Sequence, residues 1–364
     1  MNIIQPDIDF IKKLTKDSNA PLKQCMQCGT CSVICELSPA EKPFPRKEMI
    51  WAGWGLKDKL LSDPDIWLCL QCGDCTTTCP RDVKPGDVLA SLRNFSYLHY
   101  ARPKFLAKLL SKPKYLPVVI AIPVIFILTI IYFAGTLTIP EGVVNYSKFF
   151  PHMYLNISFS ILLFLMIIGM IKSIKVFWKD LKKNTAFKKH KNNLLRCFIS
   201  AIKEILTHEK FNKCRYHKYR YYTHLMVFWG FIILLIVTIF AIIAVVFFEY
   251  PLSLWNPVKI ASNLAAVLLF TGLTVMIYNR IVNKSFAGNS NYTDWVFLIS
   301  IYLLVISGVL VEIARFQNWT IAYYLYTLHL VFDWFVIIYA PYTKFGHFIY
   351  RTIAMTYAKY VGRE

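Results

Sequence analysis

The stretch that decides the architecture is CMQCGTCSVIC at residues 25–35 together with CLQCGDCTTTCP at residues 69–80. Each half spaces its four cysteines as Cys-x-x-Cys-x-x-Cys-x-x-x-Cys. Three thiolates at two-residue intervals wrap one [4Fe–4S] cluster, and the fourth, beyond the wider gap, reaches the neighbouring cluster. The pattern therefore predicts two [4Fe–4S] clusters held by crossed sets of ligands.

Crossed ligation gives each of the eight cysteines a role. One cluster takes its ligands from both runs, namely Cys25, Cys28, Cys31 and Cys79. The other cluster takes the complementary set, namely Cys69, Cys72, Cys75 and Cys35. Gly29 and Gly73 follow the second cysteine of each run, where the backbone turns tightly and a side chain would crowd the sulfurs.

Two other uses of these cysteines are less favoured. Disulfides need an oxidising compartment, and the residues before Cys25 do not have the pattern of a secretory signal. Zinc sites also use paired Cys-x-x-Cys motifs, but two runs of four cysteines favour iron–sulfur clusters. We therefore expect the clusters to lie in a reducing compartment.

The composition indicates that most of the remaining chain lies in a membrane. Of the 364 residues 56% are hydrophobic, and the net charge is +20, a combination that a single soluble domain rarely has. After residue 115 there are six apolar runs, each near the length that crosses a hydrocarbon core of about 30 Å. We expect them at 117–135, 154–172, 224–248, 258–279, 295–313 and 319–340.

The segments around the cysteines are expected to be helical. Helical spacing of apolar residues predicts a short amphipathic helix before Cys25, and a second long helix is expected from about Asp87 to Tyr100. Between the cysteine runs, residues 46–61 carry aromatic side chains that would shield the clusters from water. The basic residues of 102–115 are expected to touch anionic lipid headgroups.

The loops between the spans carry an orientation signal. Residues 172–220 hold 15 Lys and Arg against three acids, whereas the loops of the opposite side are balanced in charge. The positive-inside rule places this basic loop in the cytoplasm, and an even number of spans then places both ends of the chain there. Tyrosines beside basic residues would also suit nucleic acid, but a loop between two spans is more often a lipid-facing surface. We expect no nucleic-acid partner, and we expect the loop histidines to be ordinary surface residues, namely His190, His208 and His217.

Ionisable residues at membrane depth are costly and usually functional, and four histidines lie there, namely His152, His224, His329 and His347. His329 and His347 are eighteen residues apart, so a continuous helix would present both from one face, about 27 Å apart. The sidedness of the spans pairs His152 with His329 at the outer side and His224 with His347 at the cytoplasmic side. Two imidazoles on one iron are typical of an electron-carrying b haem, so we predict two haems b.

These features divide the chain into an iron–sulfur domain (1–101), a basic juxtamembrane linker (102–115), a transmembrane di-haem cytochrome b domain (116–348) and a cytoplasmic tail (349–364). The predicted fold class is mainly α, with a ferredoxin-like helical domain for two [4Fe–4S] clusters followed by a six-helix bundle. Asp333 and Glu312 are candidates to carry the protons of a quinol, although Glu312 could equally pair with Arg315. No Gly-x-Gly-x-x-Gly follows a predicted strand, so no flavin or nicotinamide site is expected.

Three stretches resemble known families. The N-terminal third, with DPDIWLCLQCGDCTTTCPRDVKPGDVLASLRN at residues 63–94, resembles the iron–sulfur C subunits of heterodisulfide reductases. The membrane part resembles their cytochrome b subunit and the gamma subunit of respiratory nitrate reductases, most clearly in LHLVFDWFVIIYAPYTKFGH at residues 328–347. The fusion of both parts, with KPFPRKEMIWAGWGLKDKLL at residues 42–61, resembles the C subunits of quinone-interacting membrane-bound oxidoreductase (Qmo) complexes.

Two positions depart from these families. Glu36 stands where a proline often follows the fourth cysteine. In the nitrate reductase gamma subunit, the span that corresponds to the third one here carries two histidines ten residues apart, whereas this chain has His224 and Leu234. The outer haem therefore cannot be ligated in that family's way, and His152 is the expected substitute.

The resemblance implies an electron-transfer subunit of a quinone-interacting oxidoreductase in the cytoplasmic membrane. Menaquinol would be oxidised in the membrane, and electrons would pass through two haems b and two [4Fe–4S] clusters to flavin- and iron–sulfur-containing subunits of the Qmo A and B type. Adenylylsulfate (APS) reductase, in dissimilatory sulfate reduction or sulfur metabolism, would lie beyond them. The alternatives are the same path in a heterodisulfide-reductase-type or sulfite-reduction-linked complex, and a haem-free membrane anchor for the ferredoxin-like domain.

Overall fold

The computed structural model describes residues 5–135, 138–183, 192–213, 218–247, 252–283 and 288–363. Helices make up most of these ranges, and no β-strand occurs within them. The mainly α fold expected from the sequence is therefore confirmed. His190 and His217 lie outside the described residues.

Helices lie before, within and after the two cysteine runs. They are Ile8–Ser18, Thr30–Val33, Arg46–Gly53, Lys57–Leu61, Asp65–Leu68, Asp74–Thr77 and Pro85–Tyr100. The first begins where the Asp7 carboxylate accepts a hydrogen bond from the Phe10 amide at 2.8 Å, a common N-terminal cap. The insert at 46–61 forms two helices because Gly55 turns the chain with a φ of 69°, a conformation that favours glycine.

Six helices among the described residues are long and apolar enough to cross a membrane, so the chain has the features of a multi-pass membrane protein. We call them the first to sixth spans, in order Leu116–Phe133, His152–Lys183, Lys218–Phe247, Pro257–Val282, Tyr292–Phe316 and Ala322–Tyr339. All six coincide with apolar runs of the sequence. The second and third spans are longer than those runs because both helices continue into the basic loop.

The sixth span does not continue to His347. It ends at Tyr339, and two 3₁₀ turns, Ala340–Tyr342 and Lys344–Gly346, precede a C-terminal helix, His347–Tyr360. Pro341 lies in the first turn, and proline interrupts a helix because it lacks a backbone donor and its ring clashes with the preceding turn. The expectation that one continuous helix presents His329 and His347 from the same face is therefore wrong.

The N-terminal domain and the start of the linker that follows it pack against one end of the six-span bundle. The amide of Arg102 donates to the Ser173 hydroxyl of the second span at 3.0 Å, and the Tyr342 hydroxyl donates to the Arg102 carbonyl at 2.9 Å. The Asn289 amide, between the fourth and fifth spans, donates to the Asp87 carboxylate at 3.2 Å. The loops that the sequence places on one side of the membrane thus meet the same domain.

The segment expected to be a cytoplasmic tail is part of the core of the N-terminal domain. Tyr350 is fully buried and stacks on Trp67, with ring centroids 5.3 Å apart. At its end, the Arg363 guanidinium donates to the buried Asp65 carboxylate. Full burial of a large side chain stabilises by roughly 1.5–3 kcal/mol, so the C-terminal helix ties the membrane bundle to the cysteine-bearing domain.

Candidate metal centres

The eight cysteines lie in two neighbouring cavities, four in each. One cavity is lined by the first three cysteines of the first run and the last of the second run, namely Cys25, Cys28, Cys31 and Cys79. The other is lined by Cys35, Cys69, Cys72 and Cys75. The structure thus brings together the two crossed sets expected from the spacing, rather than the two consecutive runs.

The two runs share an unusual backbone. Gln27 and Gly29 of the first run have φ angles of 58° and 85°, and Gln71 and Gly73 of the second have 55° and 92°. These left-handed conformations turn each chain around its cavity and aim donors at sulfur, as where the Gln71 amide reaches Cys69 Sγ at 3.2 Å. Hydrogen bonds to cluster sulfurs are one means by which a protein sets the reduction potential.

The chemistry of each cysteine set fits a cationic group. Burial first, and then the neighbouring thiolates of Cys25 and Cys28, raise the pKa of Cys31 to about 11. Burial likewise raises the pKa of Cys35 to about 12. Four thiolates in one cavity repel one another unless a metal ion supplies positive charge. Metal binding therefore favours deprotonation of these cysteines.

The two cavities differ in their access to solvent. Cys28 of the first set is exposed, whereas Cys75 of the second set is buried. The first cavity also lies beside Met26, which is 59% exposed. The second cavity therefore faces the interior of the molecule, and the first faces the surface.

His224 and His347 meet at the end of the bundle that carries the N-terminal domain. Their ring centroids are 6.3 Å apart, and the ring planes make an angle of 80°. His347 Nδ1 donates to the Lys344 carbonyl, and the Lys344 ammonium is paired with buried Asp294 at 3.0 Å. A partner at Nδ1 orients a histidine and leaves Nε2 for a metal.

His208 is a further member of this site that sequence reasoning missed. It was expected at the surface of the basic loop, but it is only 5% exposed, and its Nε2 lies 2.9 Å from His224 Nδ1. It follows the helix Leu194–Thr207, whose Ala201 packs against Ala358 of the C-terminal helix. The apolar Cys197 and Ala201, one turn apart, were a signal of burial, but the charge of the loop concealed it.

Burial lowers the pKa of both His208 and His347. Desolvation brings the pKa of His347 to about 4. A neutral imidazole has a lone pair for a metal or for an N–H donor. The lowered pKa of His347 thus favours the neutral imidazole that can bind a metal.

His329, on the sixth span, has a different arrangement of partners. His329 Nδ1 lies 2.9 Å from the Ser307 hydroxyl, and its Nε2 lies 3.6 Å from the Asp333 carboxylate. A Cβ at Gly308 would approach this ring to 3.0 Å, so the glycine lets the imidazole lie against the fifth span. His329 is therefore oriented by the fifth span and by its own helix.

His152 begins the second span at the end of the bundle opposite the N-terminal domain. Phe149, just before it, contacts Tyr323 with ring centroids 5.1 Å apart. Tyr323 precedes His329 by six residues on the sixth span, a rise of about 9 Å. Pairing of His152 with His329 would have to bridge this difference in depth, and it stays a prediction.

Glu312 has a partner other than the one weighed from the sequence. Its carboxylate pairs with Lys259 of the fourth span at 2.9 Å and accepts from the Asn263 amide at 3.4 Å. Arg315, on the same helix as Glu312, was the expected alternative. The ion pair joins the fourth and fifth spans at their ends far from the N-terminal domain.

Comparison with known proteins agrees with the cysteine sites. Residues 21–83 match the family model of the 4Fe-4S dicluster domain, so the chain carries such a domain at its N-terminal end. A protein of Archaeoglobus profundus, named as similar to the C subunit of heterodisulfide reductase, is 42% identical over 94 residues, which are 26% of this chain and 48% of that protein.

Two methanogen proteins show the same extent of similarity. The C subunit of the H(2):CoB-CoM heterodisulfide,ferredoxin reductase of Methanothermobacter marburgensis is 39% identical over 89 residues, 24% of this chain and 48% of its own length. An iron-sulfur C subunit of the CoB--CoM heterodisulfide reductase of Methanocaldococcus jannaschii is 40% identical over 83 residues, 23% of this chain and 44% of its own. This chain thus spans about half the length of the relatives it matches, and those relatives are named as subunits of oxidoreductases.

Proposed function

We propose that this chain is the membrane subunit of an oxidoreductase complex and passes electrons between a quinol in the bilayer and partner subunits bound at its iron–sulfur domain. The observation that carries the proposal is a direct link between a histidine pair at the end of the spans and a cavity lined by four cysteines. Arg220 and Arg351, each four residues from a histidine of the pair, donate to main-chain carbonyls of residues 67–71 beside that cavity. Haem b and [4Fe–4S] clusters, when bound, supply one-electron carriers. The protein's part is to hold such carriers close together and to keep water away from them.

Each cofactor has a proposed set of ligands. Cys25, Cys28, Cys31 and Cys79 hold one cluster, and Cys35, Cys69, Cys72 and Cys75 hold the other. For the inner haem the ligands are His224 and His347, and for the outer haem they are His152 and His329. The inner pair has the stronger support, because both Nδ1 atoms have partners that orient the rings.

The outer region is the proposed place of menaquinol oxidation, which releases two protons for each two electrons. Asp333 lies 3.6 Å from His329 Nε2, so its carboxylate can accept a proton beside the outer haem. Glu312 is a weaker candidate, because its ion pair with Lys259 stabilises the charged form. Carboxylates within spans are costly and often act as proton carriers.

The proposed location is the cytoplasmic membrane, with the iron–sulfur domain and the C-terminal helix on the cytoplasmic side. The excess of Lys and Arg in residues 172–220 supports this orientation. Resemblance to Qmo C subunits supports partners of the Qmo A and B type, with flavin and iron–sulfur centres, and a path to APS reductase in dissimilatory sulfur metabolism. The names of the relatives favour a second candidate, a heterodisulfide-reductase-type complex with the same membrane path.

The proposal is tested on the purified full-length chain in mild detergent. We expect a reduced-minus-oxidised spectrum of low-spin haem b, non-haem iron and sulfide for two [4Fe–4S] clusters, and reduction of the haem by a menaquinol analogue. A protein with clusters but no haem absorption would instead be a membrane anchor for the iron–sulfur domain. Identification of the subunits that co-purify with the native chain separates the Qmo-type complex from the heterodisulfide-reductase type.

A further inference from the structure

Two arginines lie one helical turn from the inner histidines, on the side of the N-terminal domain. Arg220 precedes His224 by four residues on the third span, and Arg351 follows His347 by four residues on the C-terminal helix. Residues four apart lie on the same face of a helix, about 6 Å apart along its axis. Each histidine of the pair therefore shares a helix face with an arginine.

Both arginines donate to main-chain carbonyls of the second cysteine run. Arg351 Nη1 donates to the carbonyls of Trp67 at 2.8 Å and Cys69 at 3.2 Å. Arg220 Nη1 donates to the carbonyl of Gln71, whose amide in turn donates to Cys69 Sγ. Cys69, one of these acceptors, is a proposed cluster ligand. The other two acceptors, Trp67 and Gln71, lie two residues before and two residues after it.

A third guanidinium reaches the same segment from the N-terminal domain. Arg93 Nη1 donates to the Ile66 carbonyl at 2.8 Å and to the Cys69 carbonyl at 3.4 Å. The helix Asp65–Leu68 ends here, and the last carbonyls of a helix need outside donors. Arg93 and Arg351 together cap this helix end, because Arg93 reaches the Ile66 carbonyl and Arg351 reaches those of Trp67 and Leu68. Capping does not account for Arg220, whose acceptor, the Gln71 carbonyl, lies beyond the helix.

In the first cysteine run, the arginine at the equivalent position comes from the N-terminal domain. Arg46 Nε donates to the Gln27 carbonyl at 3.0 Å, as Arg220 does to that of Gln71. Arg46 belongs to the N-terminal domain itself rather than to a span. The two runs thus share a backbone conformation but differ in the origin of the charge beside them.

We propose that Arg220 and Arg351 are positioning residues that couple the inner histidine pair to the second cysteine set. This inference rests on the proposed function. The two side chains fix the set of Cys35, Cys69, Cys72 and Cys75 as the one nearest the membrane, and their charges raise the reduction potential of its cluster. Reduction adds one negative charge to a cluster, and nearby guanidinium groups stabilise that charge.

The test is a redox titration of the full-length protein, followed by EPR. Arg220→Gln and Arg351→Gln are expected to lower the midpoint potential of the second cluster, and the double variant to lower it further, with the first cluster unmoved. The Cys72→Ser variant removes a ligand of the second cluster and thereby shows which EPR signal belongs to which cluster. Arg351→Lys keeps the charge but loses the planar fork, and we expect it to restore most of the potential.

Arg46→Gln is the matched control, because it removes the equivalent contact at Gln27 and should shift only the first cluster. An unchanged second-cluster potential in variants with normal iron content would overturn the inference, as would equal shifts in both clusters. The single Arg220→Gln variant keeps Arg351 and Arg93 and remains a valid test if the double variant loses iron. A wild-type protein without haem or clusters would instead contradict the proposed function, so the two failures are distinguishable.

Discussion

The imidazole rings of His224 and His347 lie on two separate helices, with 6.3 Å between their centroids and 80° between their planes. Metal–nitrogen bonds of about 2.0 Å on each side of an ion put two opposed imidazole centres about 6 Å apart, so the observed separation suits a shared iron. The third span and the C-terminal helix are held at this distance by the N-terminal domain, which both contact. The site therefore depends on the docking of the domain as well as on the two ligands.

The first prediction is that His224→Ala and His347→Ala each remove the same haem signal. Loss of one axial nitrogen should empty the site or make its iron high-spin, and the measurement is the low-temperature EPR and absorption spectrum of the purified variants. Tyr222→Phe, an exposed change on the same helix, is the control and should leave both haems intact. Loss of two different signals from the two histidine variants would show that they do not share an iron.

The second prediction concerns the orienting role of His208. His208→Leu keeps an apolar volume but removes the partner of His224 Nδ1. Loss of a hydrogen-bond partner behind a metal ligand typically reduces metal affinity by about 10–100-fold, so we expect lower haem occupancy and altered EPR g values rather than complete loss. His208→Asn, which can again offer a hydrogen bond, should recover part of the occupancy. A spectrum identical to wild type in His208→Leu would remove His208 from the site.

The third prediction is that Cys35→Ser damages the cluster held by the second cysteine run. The reason is that Cys35 lines the same cavity as Cys69, Cys72 and Cys75. EPR and iron analysis of the variant should show the other cluster unaffected, and Cys79→Ser should give the reverse result. Cys197→Ser, at a cysteine outside both runs, is the neutral control. If Cys35→Ser instead removes the cluster of Cys25, Cys28 and Cys31, ligation is not crossed.

Local patterns predicted those parts of the molecule that depend on neighbouring residues in the chain. The cysteine spacing is enough to predict the two cavities, because three of the four cysteines in each lie within seven residues. Hydropathy is enough to predict the spans. The break after Tyr339 was also visible, since Pro341 cannot continue a helix. The eighteen-residue spacing of the histidines favoured a continuous helix, but the effect of the proline is the stronger one.

Other features depend on contacts between distant segments, and no local pattern could predict them. His208 is buried because the helix before it packs on the C-terminal helix. Glu312 pairs with Lys259 because the fourth and fifth spans adjoin at their ends far from the N-terminal domain. The contacts of Arg351 are also between distant segments, because its acceptors precede it by more than 280 residues.

The fourth prediction concerns a buried charge cluster between the N-terminal domain and the C-terminal helix. Lys47 Nζ lies 3.2, 2.5 and 2.8 Å from carboxylates of Glu48, Asp63 and Asp65, and Arg363 adds a second cation at Asp65. Three carboxylates face two cations, so one bound proton balances the charge. In agreement, burial raises the pKa of Glu48, and burial with the nearby Asp65 raises the pKa of Asp63 to about 6.

A raised native pKa means that the folded state binds this proton more tightly than the unfolded chain. Stability should therefore fall as pH rises from about 4 through the native pKa, by about 1.4 kcal/mol for each unit of pKa difference. Glu48→Gln imitates the protonated cluster and should flatten the dependence of the thermal unfolding midpoint on pH between 5 and 8. Glu41→Gln, at an exposed carboxylate, should not. A steeper fall in Glu48→Gln would contradict the assignment of the proton.

The last prediction is the outer haem. If His152 and His329 share an iron, then His152→Ala and His329→Ala remove the same haem signal and leave that of the inner pair unchanged. The contacts of His329 with Ser307 and Asp333 make this the more demanding case, since Nε2 must turn from the carboxylate toward an iron. Asp333→Asn is the discriminating variant, because it keeps the shape of the side chain and removes its charge. It should preserve both haem spectra while slowing reduction by a menaquinol analogue, as expected of a proton acceptor. Two intact low-spin haems in His152→Ala would show that the outer iron has another second ligand, and a single haem per wild-type chain would leave His329 and Asp333 as a pair without a haem.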